Sequence, residues 1–329
     1  MAYIKLKDIA KKANVSINTV SRALNNKSDI GDDTKIRIRR IADEMGYILN
    51  ASASRLRSKE NRMIGVIITH IDNAFYARIL QGINDAISEK EYTMLALSSG
   101  ENLEKEKSLL KTLVSNRVAG TIIVPSQDMI NSLDYDNIGV PHITIVRKGN
   151  KNTRSYFISD SFQSGIKAAE YFIQQGCSHS AYIGFNLPVS CNRDRVNGFI
   201  KGLRDAEVIL KENRIIHCDA TPQAAYNAAT EFLKNDKQID SLFVYNDSMA
   251  LGVIRAAHDL KIRIPEDIRI LGHDDVAESR YYIPSLSTIR VPKYRLGYDS
   301  ASELMALIND NKAPEKYVSY LPELIIRES

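Results

Sequence analysis

From residue 63 onward, the sequence alternates short apolar runs with longer amphipathic stretches. Apolar runs typical of buried strands occupy 63–68, 93–97, 120–124 and 142–146, and helical periodicity occupies 74–90 and 102–116. Because strands that are buried on both faces read as continuous apolar runs, this alternation predicts a parallel sheet covered by helices on both sides.

The same alternation returns in the second half of the chain. Helices are predicted at 161–175, 194–205, 222–234 and 247–260, and strands at 181–185, 214–218, 241–244 and 268–272. Two similar halves with a boundary near residue 160 predict a bilobed α/β body of two doubly wound parallel sheets, preceded by a small all-α head. A ligand is expected between the lobes.

The chain length fits this organisation. Of 329 residues, about 270 remain after the head is subtracted, which is enough for two lobes of roughly 130 residues each. No run of about 18 or more apolar residues is present, and residues 1–5 lack the apolar stretch of a secretory signal. We therefore expect a cytoplasmic protein without a membrane partner.

Residues 6–25 carry the pattern of two short helices that meet at a polar turn. Asn14 lies at this turn, where a left-handed backbone is cheapest for Gly and then for Asn or Asp, and Ser16 is the expected N-cap of the second helix. This pattern predicts a helix-turn-helix. Ile17 and Asn18 then face outward, where they suit a thymine methyl group and an adenine edge.

A third helix is predicted to end at Gly46, and residues 50–57 beyond it make roughly two helical turns, too few to be stable alone in water. An ordinary three-helix bundle is the alternative, but the charge distribution disfavours it. Residues 1–60 hold 13 Lys and Arg against 7 Asp and Glu, whereas the remainder holds 31 against 33. A basic head on a slightly acidic body is expected when only the head meets polyphosphate.

The sequence contains no motif that would support catalysis or metal binding. Cys177, Cys191 and Cys218 are widely spaced and fit neither a disulfide framework nor a zinc site, and three reduced thiols are expected. The six His residues are scattered, and no Walker loop, GxSxG or HExxH motif occurs. We expect no cofactor, no metal and no enzymatic activity.

Ligands of open parallel sheets bind beyond the carboxyl ends of the strands, which nominates the polar and aromatic residues there. These residues are Asn73, Phe75, Tyr76, Arg147, Asp160, Arg193, Arg195, Asn246 and Asp274. Two adjacent rings on one helix are not expected to face inward together, so one of Phe75 and Tyr76 should lie in the cleft. Asp247 is expected to cap the following helix rather than touch a ligand, and Asp275 either belongs with the nominated residues or only faces solvent.

The whole chain resembles the lactose-repressor/galactose-repressor (LacI/GalR) family of transcription regulators. The resemblance rests on Asp8-Ile9-Ala10, Val15-Ser16, Thr19-Val20-Ser21-Arg22, Asn25, Gly46-Tyr47, Asn50 and Leu56, and it continues to Ile326-Arg327-Glu328-Ser329. It implies a DNA-binding domain at 1–49, a hinge helix and linker at 50–60, and a periplasmic-binding-protein-like effector domain at 61–329. The implied N-subdomain is 61–159 with 292–322, and the C-subdomain is 160–291 with 323–329.

The family resemblance also implies roles for individual residues. Ile17, Asn18 and Arg22 would lie in the major groove, and Leu56 would be the apolar wedge that enters and kinks the minor groove. The implied contacts to DNA further include Ser16, Thr19, Ser21, Asn25, Tyr47, Asn50 and Ala53. Arg195 and Asp274 would be the principal effector ligands, with support from Asn73, Phe75, Tyr76, Arg147 and Asn246.

The expected effector is a small sugar. The second-lobe aromatic of the family falls near Ala220, where this chain has no ring, and the chain contains no Trp. A ligand smaller than a disaccharide, such as a monosaccharide, or one stacked from one side only, is therefore favoured, with a sugar phosphate second because Arg147, Arg193 and Arg195 are all nominated. We expect a homodimer on a pseudo-palindromic operator. The alternatives are a sugar-binding transport receptor and an enzyme on a doubly wound fold.

Overall fold

The first of the two units into which the chain divides, residues 1–61, contains three helices among its described residues. These are α1 (Leu6–Ala13), α2 (Ile17–Leu24) and α3 (Asp32–Glu44). The computed structural model describes residues 4–47, 61–126, 133–149, 155–310 and 316–329. The apolar faces of the helices meet in one core of Ile9, Ala10, Ala13, Val20, Ala23, Ile38 and Ala42. The predicted helix-turn-helix is confirmed.

The turn between α1 and α2 depends on Asn14, whose φ of 53° and ψ of 48° place it in the left-handed region. Ser16 then caps α2, since its hydroxyl oxygen accepts the backbone N–H of Thr19 at 3.0 Å. The third helix ends at Glu44, and Gly46 follows with a φ of +69°. The start of α2 and the end of α3 are thus marked by residues that the sequence identifies.

The second unit, residues 62–329, contains two sheets of six strands each in its described part. The first sheet has the order β11-β5-β4-β3-β1-β2, and all its neighbours are parallel. Its strands are β1 (Met63–Ile68), β2 (Thr93–Ser98), β3 (Gly120–Ile123), β4 (His142–Ile145), β5 (Tyr156–Ser159) and β11 (Tyr317–Tyr320).

The second sheet repeats this winding in the order β12-β10-β9-β8-β6-β7. Its strands are β6 (Ser180–Phe185), β7 (Ile215–Cys218), β8 (Ser241–Val244), β9 (Arg269–Asp274), β10 (Ser287–Arg290) and β12 (Glu323–Ile325). Only the edge strand β12 is antiparallel to its neighbour among the described strands. The prediction of two doubly wound parallel sheets is confirmed.

Successive residues of the central strands supply cores on opposite faces of each sheet. In β1, Ile64 and Val66 belong to one core and Ile67 to another, as expected when side chains alternate across a strand. In β6, Ile183 and Tyr182 divide in the same way. Each sheet is therefore buried on both sides, which explains the nearly continuous apolar runs in the sequence.

Helices cover both sheets in the described part of the body. They are α4 (Ala74–Ser88), α5 (Leu103–Ser115), α6 (Ser161–Gln174), α7 (Ser190–Asp205), α8 (Pro222–Asn235), α9 (Asp247–Asp259) and α10 (Lys293–Asn309). The helices α6 and α7 approach so closely that a Cβ atom on Gly198 would overlap the carbonyl group of Phe162. Only glycine fits at that crossing.

The chain passes between the two sheets three times within the described residues. It leaves the first sheet after Ser159, returns after Arg290, and leaves again between Tyr320 and Glu323. These crossings bring the carboxyl ends of the parallel strands of both sheets to a common cavity. The sequence pattern did not predict the strands β5, β10, β11 and β12.

Candidate functional site

The outward face of α2 carries the residues nominated for DNA. Ile17 is 53% exposed and Asn18 is exposed beside it, so both are accessible. Ser16 and Thr19 lie at the start of the helix with their hydroxyl oxygens 2.8 Å apart. An exposed apolar side chain next to an amide is the arrangement that suits the edges of an A·T pair.

The C-terminal half of α2 is more constrained. Arg22 donates from Nε to Asp29 at 2.7 Å, and the side-chain amide of Asn25 donates to the carbonyl of Ser21 at 2.6 Å. Ser21 is only 5% exposed, so little of it is open to a phosphate. Tyr47 packs partly buried against the head core. Asn50, Ala53 and Leu56 lie outside the described residues.

The cavity between the lobes has a volume of about 580 Å³, within the range of roughly 300–1,000 Å³ usual for small-molecule sites. Its wall comes from segments that follow strands of both sheets, as the rule for parallel sheets predicts. The nominated residues that line it are Asn73, Phe75, Tyr76, Arg147, Arg195, Asn246 and Asp274.

On the first lobe, the start of α4 forms one side of the cavity. The side-chain oxygen of Asn73 caps the helix by accepting the N–H of Phe75 at 2.9 Å. Phe75 and Tyr76 are both buried, with ring centroids 5.1 Å apart in an edge-to-face arrangement, and both line the cavity. The expectation that only one ring lies in the cleft is wrong, because the edge-to-face contact lets both rings pack inward.

Arg147 is buried and already neutralised. Its guanidinium makes two hydrogen bonds to the carboxylate of Glu101, each of 2.7 Å, and donates to the carbonyl of Pro125 at 2.9 Å. Although burial opposes it, the charge of Glu101 raises the pKa of Arg147 well above its usual value. The pair therefore presents little net charge to a ligand.

Arg195 lies on α7 and faces the second-lobe wall. Its guanidinium donates to the carbonyl of Tyr245 and lies 4.8 Å from the centroid of that ring. Arg193 does not line the cavity, since it is exposed and paired with Asp194 at 3.1 Å. Residues two apart on a helix point to different sides, so the nomination of Arg193 for the cleft is wrong.

Asp160 is also misplaced by the sequence analysis. Its carboxylate accepts the N–H of Gln163 at 3.0 Å and so caps α6, and it does not line the main cavity. Asn246 both caps α9, by accepting the N–H of Met249 at 2.8 Å, and lines the cavity. Its amide nitrogen remains the group that can donate to a ligand.

Asp274 ends β9 at the cavity wall and is held on several sides. The Nδ1 atom of His273 is 3.0 Å from its carboxylate, and the Lys293 ammonium donates to its backbone carbonyl. Its φ of 116° is rare for a residue with a side chain, and the neighbouring Asp275 also has a positive φ of 51°. These contacts hold an unusual turn in place.

Two acidic neighbours behave differently from expectation. Asp247 does not cap α9; it is fully buried and accepts hydrogen bonds from Thr288 at 2.6 Å and from the N–H of Val276 at 2.9 Å. Burial first, and then the charge of Asp274, raises its pKa well above the usual value. Asp275 does not face solvent but pairs with Arg290 and Arg327, whose hydrogen bonds lower its pKa despite burial.

The second lobe supplies aromatic rings that the sequence analysis missed. Ala220 does line the cavity, but Phe185, Tyr245 and Tyr282 line it as well. The rings of Phe185 and Tyr245 are 5.6 Å apart and inclined by 33°. Rings from both lobes therefore border the cavity, and the expectation of an aromatic wall on one side only is wrong. Phe185 and Tyr245 end or directly follow strands, a position that could have revealed them.

Three buried side-chain atoms at the cavity have no hydrogen-bond partner within the described part of the chain. They are the Nε atoms of Arg147 and Arg195 and the hydroxyl of Ser159. Buried polar atoms normally have partners, so these three atoms leave hydrogen-bonding capacity unused next to the cavity. The charged lining among the described residues consists of Asp72, Glu101, Asp219, Asp274 and Glu278 against Arg147 and Arg195.

Other types of site find no support in the described residues. No group of three or more His, Cys, Asp or Glu is arranged there to hold a metal ion. Every helix in that part of the chain is too short or too polar to span a membrane. Cys177 and Cys191 are buried, and burial raises the pKa of the half-buried Cys218 to about 11.

The fold and the two sites define a class of protein: a regulator with a DNA-reading head and a ligand-binding bilobed body. Residues 5–50 match the family model of bacterial regulatory proteins of the lacI family, and residues 169–329 match that of the periplasmic binding protein-like domain. The HTH-type transcriptional repressor PurR of Edwardsiella ictaluri is 31% identical, with 98% of this chain and 96% of the relative covered.

Two solved structures are similar over most of the chain. The Lac repressor dimer bound to operator and the anti-inducer ONPF has a TM-score of 0.83, 23% identity and 99% coverage of both chains. A periplasmic binding protein/LacI transcriptional regulator from Alkaliphilus metalliredigens complexed with D-xylulofuranose has a TM-score of 0.73 and 26% identity, covering 81% of this chain and 98% of that one. The chain belongs to the LacI family of DNA-binding transcriptional repressors.

Proposed function

We propose that this repressor responds to a small neutral sugar bound between its two lobes. The observation that carries the proposal is a cavity that places polar side chains, including those of Arg195, Asn246 and Asp274, beside aromatic rings from both lobes. Sugar hydroxyls can form hydrogen bonds with such side chains while the ring face packs on an aromatic side chain. The relative from Alkaliphilus metalliredigens has D-xylulofuranose bound.

Electrostatics favours a neutral sugar over a sugar phosphate. Arg147 is paired with Glu101 and Arg193 lies outside the cavity, which leaves Arg195 as the one cation without a carboxylate partner among the described lining residues. The four acidic residues of the lining other than Glu101, which Arg147 neutralises, would repel a phosphate dianion. Asp274, in contrast, suits a pair of adjacent hydroxyl groups as a hydrogen-bond acceptor.

The proposed DNA contacts are those of the reading helix and the hinge. Ile17, Asn18 and Arg22 would read bases, and Leu56 would enter the minor groove. Ser16, Thr19, Ser21, Asn25, Tyr47, Asn50 and Ala53 would contact or approach the backbone. Ligand-dependent closure of the cleft would change the spacing of the two hinge segments in a dimer. A coupling of about 1–3 kcal/mol corresponds to a 5- to 150-fold change in operator affinity.

A homodimer through the body lobes is part of the proposal. Leu251 on α9 and Tyr281 and Ile283 before β10 are 40%, 78% and 92% exposed, and all three are apolar residues of the second lobe. We infer that these exposed residues take part in the contact between the two protomers. A two-fold symmetric dimer also suits a pseudo-palindromic operator, and the related Lac repressor structure is that of a dimer. Such a regulator would act in the cytoplasm and release its ligand unchanged.

A thermal-shift panel tests the proposed ligand class. The stability of the parent chain is measured with pentoses, hexoses, their phosphates and purine bases. A ligand at 100 times its dissociation constant stabilises the folded state by about 2.7 kcal/mol, which a thermal-shift assay detects. A neutral sugar should stabilise the parent and the control Arg193→Ala, but not Arg195→Ala. Stabilisation by phosphates or purines alone, or an undiminished shift in Arg195→Ala, would contradict the proposal.

A further inference from the structure

Asp29 lies in the segment between α2 and α3, where its carboxylate touches the reading helix. The Nε atom of Arg22 donates to it at 2.7 Å, and the two side chains are 44% and 49% exposed. Within the described part of the chain, the two terminal nitrogens of Arg22 have no other acceptor. The ion pair therefore occupies one edge of the guanidinium and leaves its far end free.

This division of donors matters because a guanidinium is a planar group with five N–H donors in a fixed geometry. Guanine presents two acceptors in the major groove, O6 and N7, which Arg contacts with two parallel hydrogen bonds. An arginine whose Nε is engaged can still make this contact through its two terminal nitrogens. Its plane is then restrained before DNA arrives, whereas a free arginine side chain samples many rotamers.

We propose that Asp29 is a specificity-determining residue of the head, which holds Arg22 for a two-bond contact with one guanine in each half-site. The inference rests on the proposed role of Arg22 as a base-reading residue. Asp29 itself acts through Arg22 and touches no base, so it is a positioning residue.

The charge of Asp29 gives the inference a distinctive signature. The hydrogen bond from Arg22 lowers the pKa of Asp29, so the carboxylate is charged at neutral pH. A negative charge on a surface that meets phosphates weakens binding to DNA of any sequence. Removing it should therefore raise affinity for random DNA while lowering discrimination at the base pair that Arg22 reads. A residue that only stabilised the head would lower both.

The experiment uses the full chain and a duplex library with a randomised palindrome, read by selection and sequencing. The variants are Asp29→Ala, Asp29→Asn and Arg22→Lys, and the control is Asp43→Ala, an exposed carboxylate of α3. Arg22→Lys keeps the charge but loses the fork, so guanine preference at one position should fall about tenfold. In Asp29→Ala the same preference should fall about 2- to 5-fold. In Asp29→Asn, which keeps an acceptor oxygen, the guanine preference should lie between those of the parent and of Asp29→Ala.

Affinity for sheared random-sequence DNA, measured by anisotropy, completes the test. It should rise in both Asp29 variants, while Asp43→Ala keeps the parental base preference. If Asp29→Ala keeps the parental base preference while Arg22→Lys loses it, the proposed role of Asp29 is overturned and that of Arg22 stands. A uniform loss at every position, together with weaker binding to random DNA, also overturns it in favour of a structural role. If Arg22→Lys keeps the parental preference, the base-reading role of Arg22 fails first.

Discussion

His273 should make the stability of the body depend on pH in a defined window. The imidazole is 1% exposed, with Nδ1 3.0 Å from the Asp274 carboxylate and Nε2 3.1 Å from the Ser164 hydroxyl. Because a carboxylate can only accept, Nδ1 carries a proton and donates it to Asp274. Burial first, and then the charge of Arg195, lowers the pKa of His273 from 6.5 to about 4.

The direction of the effect follows from proton uptake on unfolding. Between pH values of about 6.5 and about 4, the unfolded chain binds a proton at His273 that the folded chain does not. The contribution of His273 is therefore complete above the unfolded pKa and is lost as the pH falls towards the folded pKa. A pKa difference of roughly 2.5 corresponds to about 3 kcal/mol at about 1.36 kcal/mol for each pKa unit.

Urea denaturation of the parent chain and of His273→Gln at about pH 7.5 and about pH 4.5 measures this effect. The free-energy difference between parent and variant should become less favourable to the parent by about 2.5 kcal/mol at the lower pH. Carboxylates titrate in both proteins, so their effects largely cancel in the difference. His258→Gln, which removes an exposed imidazole, is the matched control. Equal pH dependence of parent and His273→Gln would refute the buried, neutral assignment.

Three further predictions concern other parts of the chain. Glu101→Gln should lower the free energy of unfolding in urea by about 3 kcal/mol, because it leaves the buried Arg147 without its ion partner; a loss typical of surface pairs would contradict this. Gly198→Ala should lower the free energy of unfolding by about 1–3 kcal/mol in the same assay, since the added Cβ meets the Phe162 carbonyl. The control is Gly139→Ala, where the added Cβ meets no atom within 4 Å. Its φ of +79° adds some strain, but the loss should be smaller than at Gly198. Leu56→Ala should weaken operator binding in an anisotropy titration but leave effector binding intact, and equal operator affinity would exclude the wedge.

The sequence predicted the buried strands well because their physical signal is strong. The runs that became β1 and β8 are apolar along most of their length, as required for strands covered on both faces. Two of the missed strands, β11 and β12, lack that signal. In β11 the burial alternates between exposed and intermediate, and β12 has only 3 residues at an edge. Such strands are specified by pairing with a neighbour that is distant in sequence, as Val318 pairs with Phe157.

The sequence likewise placed some residues of the candidate site at the cavity and misplaced others. Position after a strand correctly brought Arg147, Asn246 and Asp274 to the cavity wall, because parallel strands direct their carboxyl ends to one edge. The same rule failed for Asp160, since a carboxylate before a helix serves equally well as its cap. The nomination of Arg193 is wrong because α7 begins at Ser190, earlier than its polar sequence indicates. The start of the helix determines which of its residues face the cavity.

The turn at Asp274 shows why the remaining geometry could not be read from the chain. A φ of 116° at Asp274 would strain an isolated peptide, so it persists only where the surroundings determine it. Here the Lys293 ammonium donates to the carbonyls of both Asp274 and Asp275. Lys293 begins α10, which packs against α4 and the first sheet, whereas Asp274 ends a strand of the second sheet. The orientation of the Asp274 carboxylate therefore depends on a contact between the lobes, which no local pattern around Asp274 encodes.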